Sequence, residues 1–64
     1  MLKINGEDLN FDGLTVAQAL EKLGYSQQRV AVERNEEIVP KALYNDTILC
    51  AGDCVEVVRF VGGG

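Results

Sequence analysis

The chain contains no histidine and no tryptophan, and its only thiols are Cys50 and Cys54. Without histidine, two cysteines cannot assemble a metal site of several soft ligands, and the four thiolates usual for an iron–sulfur cluster are missing. No metal ligand is assigned. The C-x-x-x-C spacing also differs from the C-x-x-C of thiol oxidoreductases, so both cysteines are expected to be small, reduced, partly buried residues flanking a turn. Cations are in short supply as well: ten acidic residues oppose six basic ones, for a net charge of −4. Lys3, Lys22, Arg29, Arg34, Lys41 and Arg59 are scattered, which disfavours nucleic acid as a partner because phosphate-backbone binding draws on clustered Lys and Arg. Long apolar runs are absent, and Met1-Leu2-Lys3-Ile4-Asn5 lacks the charged and apolar blocks of a secretion signal. No membrane partner is expected, and the cytoplasm is the expected location.

Hydrophobic residues make up 47% of the 64 residues, enough for one small core. A domain of this size buries only about 60% of its unfolded surface, which leaves little interior for an enclosed active site. Carboxylates are plentiful, but the adjacent Glu36 and Glu37 fall in a turn with no histidine or lysine near them in sequence, so a solvated turn is the expected role. Gly52-Asp53 reads as a β-turn ahead of a strand. No catalytic residue is assigned.

"MLKIN" alternates Leu2 and Ile4 with polar neighbours and runs into Asn5-Gly6, a dipeptide suited to a tight hairpin. The spacing predicts a partner strand over Leu9 to Phe11. Thr15 then reads as a helix N-cap with Gln18 completing a capping box, followed by the stripe Val16, Ala19, Leu20 and Leu23. Gly24 stops the helix, and Tyr25 is placed to pack back on the last turn near Leu20. "RVAVE" puts Val30 and Val32 on one strand face, "IVP" gives a brief strand ended by Pro40, and residues 41 to 46 read as an irregular turn or a single helical turn. The last strand, "CVEVVRFV", is the longest strongly β-forming run. A hairpin, a crossing helix and later strands make an α+β domain, a mixed sheet with one main helix across one face. That is the order of the β-grasp, or ubiquitin-like, fold. Residues 1–61 are expected to form the domain and residues 62–64 a flexible C-terminal glycine tail.

That tail is the unusual feature. Gly62, Gly63 and Gly64 have no Cβ, so in extended form they pass through a slit too narrow for other residues and reach roughly 10 Å past the strand. The α-carboxylate of Gly64 is then the one group that another protein's active site could receive. A frayed terminus is the plainer reading.

Two stretches, "NEEIVPKALY" and "AGDCVEVVRFVGGG", make the whole chain resemble the ThiS family, the ubiquitin-like sulfur carriers of thiamine biosynthesis. The first is similar to the family's Asn-x-x-Ile-Val-Pro-Arg segment followed by an aromatic, the second to its Gly-Asp turn, last strand and terminal glycines. Lys41 stands where Arg is commoner, a change expected to alter a surface contact without touching the tail. The resemblance implies a cycle in which no cofactor is bound. A ThiF-like adenylating enzyme consumes ATP to adenylate Gly64, and sulfur from a cysteine desulfurase displaces AMP to leave a thiocarboxylate. A ThiG-like thiazole synthase accepts that sulfur. Gly62 and Gly63 would serve threading.

Strand alternation adds a separate clue. Val55, Val57, Arg59 and Val61 share one face, while Cys54, Glu56, Val58 and Phe60 share the other, and one helix covers only one face. Val58 and Phe60 are expected either to form a docking patch for partners or to be buried by a bulge or loop. Three functions remain open: the thiamine sulfur carrier, a related carrier for molybdopterin synthesis, and a non-covalent ubiquitin-like interaction module. A ligand- or RNA-binding β-grasp domain is disfavoured by the acidic balance and by the lack of an aromatic and basic surface cluster.

Overall fold

A computed structural model of the chain describes residues 1–60. Val61 and the expected tail, Gly62 to Gly64, lie outside the described residues, so the domain boundary at residue 61 is not addressed by it. Among the described residues five strands are formed: β1 (Leu2–Ile4), β2 (Glu7–Leu9), β3 (Val30–Arg34), β4 (Glu37–Val39) and β5 (Cys54–Arg59). One α-helix, α1 (Val16–Leu23), and two single-turn 3-10 segments, Gln27–Arg29 and Lys41–Leu43, connect them. The sheet order is β2-β1-β5-β3-β4. β1 runs parallel to β5, and the remaining neighbours are antiparallel. This is the β-grasp architecture.

The Asn5-Gly6 turn forms as its residue types require, with φ of 51° and 82°. The partner strand, however, is Glu7–Leu9 and not Leu9 to Phe11, with Leu2 opposite Leu9 and Ile4 opposite Glu7. A two-residue turn obliges the return strand to begin at once, and at the sheet edge Glu7 and Asp8 remain exposed without penalty. The β3–β4 turn uses Asn35 and Glu36, both at positive φ (52° and 71°).

The helix shows why the local signals were sufficient. Gln18 N–H donates to Thr15 Oγ1 at 3.1 Å, and Thr15 N–H donates to Gln18 Oε1 at 2.9 Å, the reciprocal capping box. The other early donors are met from far along the chain: Val16 N–H by the Thr47 carbonyl and Ala17 N–H by the Tyr44 carbonyl, each at 2.9 Å. At the far end Gly24 adopts φ 81°, Gly24 N–H donates to Glu21 O and Tyr25 N–H to Leu20 O, which is a Schellman closure.

The core lies between α1 and one face of the sheet. Val16, Ala17, Ala19 and Leu20 from the helix meet Leu2, Ile4, Val30, Val32, Val39, Val55 and Val57 from the strands, with Tyr44 and Leu49 closing one end. Leu23, expected on the stripe, is only partly buried. Each fully buried aliphatic side chain contributes about 1.5–3 kcal/mol, so this one cluster carries the fold. Cys50 and Cys54 are exposed, contrary to expectation. Cys54 starts β5 on the sheet face that α1 does not cover, opposite Lys3, and Cys50 opens the turn before it.

Candidate functional site

The expected functional end begins where β5 leaves the sheet. β5 is the central strand, held by β1 on one side and β3 on the other. Its even-numbered residues face away from the helix. Val58, opposite Ala31, is 58% exposed and Phe60 is 54% exposed, so neither is buried by a bulge or loop among the described residues. Ile38, on the same face and opposite Glu33, is 65% exposed. Val55 and Val57 point the other way into the core. Gly62, Gly63 and Gly64 lie outside the described residues.

Several contacts fix the root of the tail. Phe60 N–H donates to the Arg29 carbonyl at 2.9 Å, continuing the β3 pairing beyond Arg59. The Arg59 guanidinium lies 4.9 Å from the centre of the Tyr25 ring. Lys41 Nζ lies 5.2 Å from the centre of the Phe60 ring and 5.7 Å from that of buried Tyr44. It also donates to the carbonyls of Val30 (2.6 Å) and Gln27 (3.0 Å). Lys41 in place of Arg was expected to alter a surface contact without touching the tail, which lies outside the described residues. Its side chain folds back across the 3-10 turn and reaches Phe60, the last described residue.

Asn5 is a second residue with a reach that its turn position concealed. Val57 N–H donates to Asn5 Oδ1 at 2.8 Å, and Asn5 Nδ2 donates to Val57 O at 3.2 Å, so the side-chain amide prolongs the β1–β5 ladder after β1 has turned away. No sequence signal marks this, because Asn5 already had a sufficient reason to be asparagine.

At the opposite end of β5 sits Asp53, the buried charged residue among those described. Its Oδ2 accepts from Arg34 Nε and from Cys50 N–H, each at 2.8 Å, and its Oδ1 accepts from Asn35 Nδ2 at 3.1 Å. Asn35 Oδ1 in turn accepts from Cys54 N–H at 2.9 Å. Burial alone pushes the carboxyl pKa up, but the Cys50, Asn35 and Arg34 donors and the Arg34 charge outweigh it and hold the group below its ordinary value of 3.8. The network pins two turns to the start of β5, a whole strand away from the tail, so its role is architectural.

The pH consequence follows from the direction of that shift. A carboxyl whose folded pKa lies below its unfolded value stabilises the fold above about pH 4, and this contribution fades as pH falls through the lower folded value. Asp53→Asn is therefore expected to cost about 1–3 kcal/mol at neutral pH. Urea denaturation should show that deficit shrinking in acid, and a deficit independent of pH would contradict the assignment.

Among the described residues no group of three or more His, Cys, Asp or Glu is placed to hold a metal ion, and no helix is long and apolar enough to cross a membrane. The hollow beside the tail root, lined by Gly24, Ser26, Arg29, Val30, Arg59 and Phe60, is open to solvent.

Comparison with known proteins places this geometry. The model of the ThiS family matches residues 2–64. The sulfur carrier protein ThiS of Bacillus subtilis is 41% identical over 66 aligned positions that take in all of both chains. A thiazole synthase of Paramagnetospirillum magneticum is 50% identical across 98% of this chain, which spans only 20% of that longer protein. The crystal structure of the thiamine biosynthesis protein ThiS from Geobacter metallireducens superposes with a TM-score of 0.79 at 33% identity, covering 98% of this chain and 97% of that one. Sequence, topology and length agree, and the chain belongs to the ThiS family.

Proposed function

We propose that this chain is the sulfur carrier for thiazole formation in thiamine biosynthesis, a protein co-substrate and not itself an enzyme. The observation that carries the reading is the end-to-end match to a protein named as the sulfur carrier ThiS. In the proposed cycle the Gly64 carboxylate attacks the α-phosphorus of ATP in the active site of a ThiF-like enzyme, releasing pyrophosphate and leaving an acyl adenylate. A carboxylate oxygen is a poor leaving group, whereas AMP departs readily when the terminal sulfur of a persulfide supplied by a cysteine desulfurase attacks the carbonyl carbon. A thiol then cleaves the S–S bond of the acyl disulfide, leaving as a disulfide. The resulting thiocarboxylate presents a far better nucleophile than the carboxylate it replaced. Gly62 and Gly63 thread the narrow approach to each enzyme.

The acceptor is a ThiG-like thiazole synthase. The occurrence of a closely similar segment within longer thiazole synthases supports that partnership. Intact-mass measurement after incubation with ATP, the activating enzyme and a sulfur source tests the reading, with exchange of oxygen for sulfur at the C-terminus as the expected result. An unchanged mass under conditions proven active on another carrier would count against it.

Val58 and Phe60 form the docking surface beside the tail. Exposed apolar side chains next to the reacting segment suit a partner interface whose centre is apolar. Phe60→Asp is expected to raise KM for the activating enzyme about tenfold or more, the cost of losing one well-packed aromatic anchor, with the melting curve unchanged. Unfolding of the variant would instead assign Phe60 to the fold.

A further inference from the structure

We infer that Lys41 is a positioning residue for the carrier reaction, holding the Phe60 ring and the end of β5 in the pose that the activating enzyme engages. The inference rests on the sulfur-carrier reading and extends it to a residue outside the tail and the docking patch. Three observations converge on it. The ammonium is fixed by backbone carbonyls, with Val30 O at 2.6 Å and Gln27 O at 3.0 Å accepting two of its three protons. It lies 5.7 Å from the centre of the Tyr44 ring, and Tyr44 is 1% exposed, so the support beneath it is the core itself. Its outward side meets the ring of Phe60, the last described residue, at 5.2 Å.

Phe60 needs such a support. It lies beyond the end of β5, is half exposed, and is joined by a backbone hydrogen bond to Arg29, the residue just before β3. An exposed aromatic side chain in that position has several rotamers, and a partner that selects one of them loses binding energy to the others. A cation over the ring face removes part of that cost before the partner arrives. On the opposite face of the strand, Arg59 stacks on Tyr25 at 4.9 Å, so consecutive residues at the exit are gripped from both sides. A guanidinium at position 41 has the donors and the planar charge to do the same work, so Lys41→Arg is expected to be tolerated.

The test is a double-mutant cycle read in the steady-state kinetics of adenylation of the full chain by its ThiF-like enzyme. Lys41→Met keeps the length of the side chain and deletes the charge. It is expected to raise KM about two- to fivefold, the range of a partly exposed cation–π contact, with kcat unchanged. Lys41→Arg should retain the wild-type KM. In a background of Phe60→Ala, Lys41→Met should have no further effect, because its target is gone. An unchanged KM in Lys41→Met, losses that multiply in the double variant, or equal loss in the Arg and Met variants would overturn the inference. If Lys41→Met fails to fold, nuclear Overhauser contacts between the Lys41 ε-methylene and the Phe60 ring in the wild-type protein decide the matter, present in support and absent against. A wild-type chain that is never adenylated fails the carrier reading and this inference together, whereas an active wild type with a normal Lys41→Met fails this inference alone.

Discussion

Deletion of Gly64 is expected to abolish thiocarboxylate formation while leaving the thermal unfolding midpoint where it was. Truncation leaves a carboxylate on Gly63, so the nucleophile still exists but sits one residue, about 3.5 Å, short of its place. In-line attack needs reacting atoms about 3–3.5 Å apart, and misplacement by 1 Å already costs about a hundredfold. A full residue therefore removes measurable turnover. The fold should not respond, because the described core draws its last residue from Val57. Intact-mass analysis of the incubated chain and a melting curve by circular dichroism read the two halves separately. A truncated chain that keeps full function in vivo would show a non-covalent module whose terminus is incidental.

Tyr44→Ala is expected to remove much or all of the stability of the fold. Tyr44 is among the largest fully buried side chains, at 1% exposure. Truncating a buried aromatic to alanine costs about 3–5 kcal/mol, from lost transfer energy and an unfilled cavity. Total stability scales to roughly 3–10 kcal/mol for a domain this small. The loss therefore consumes much or all of it. Tyr44 also anchors the loop whose carbonyls, from Tyr44 and Thr47, satisfy the first turn of α1, so loosening the ring frees donors at the helix start. Urea denaturation and thermal melting check this. Tyr44→Phe, which preserves the ring, should lose only about 1 kcal/mol, and an alanine variant within that same margin would show that the loop is held by other means.

The elements that sequence reasoning located are those written over three or four residues. Thr15 and Gln18 satisfy each other, Gly24 and Tyr25 close the same helix, and Asn5-Gly6 makes its own turn, so each signal and its physical cause lie together. The return strand was misplaced because Leu9 and Phe11 look more strand-like than Glu7 and Asp8, although turn geometry outranks composition there. Lys41, Tyr44, Asn5 and Asp53 were illegible for the opposite reason. Asn5 meets Val57 across most of the chain, Asp53 meets Arg34 across the sheet, and Lys41 meets Phe60 only after the β3–β5 pairing has brought the strand end over the 3-10 turn. The exposure of both cysteines followed from the turn and from strand parity, facts that the general tendency of cysteine to be buried overrode. For the candidate site, the family's motifs pointed to the end of the chain, but not to the groups that hold its root in place.

The place of β5 in the sheet order bears on how the protein is made. Translation delivers this strand after the other four, yet it is the one that joins β1–β2 to β3–β4. Until it emerges from the ribosome, the nascent chain has two hairpins with no strand between them and a helix with half a surface to cover. Pairing Ile4 with Val55 closes a loop of nearly the whole chain, an entropic cost that is met only once both ends are free. A product cut short before Cys54 is thus open to degradation, and every copy that survives proteolysis has been synthesised through the strand that leads to the glycines. Folding in this way inspects the strand that carries Val58 and leads to the tail, while the glycines beyond it go unchecked.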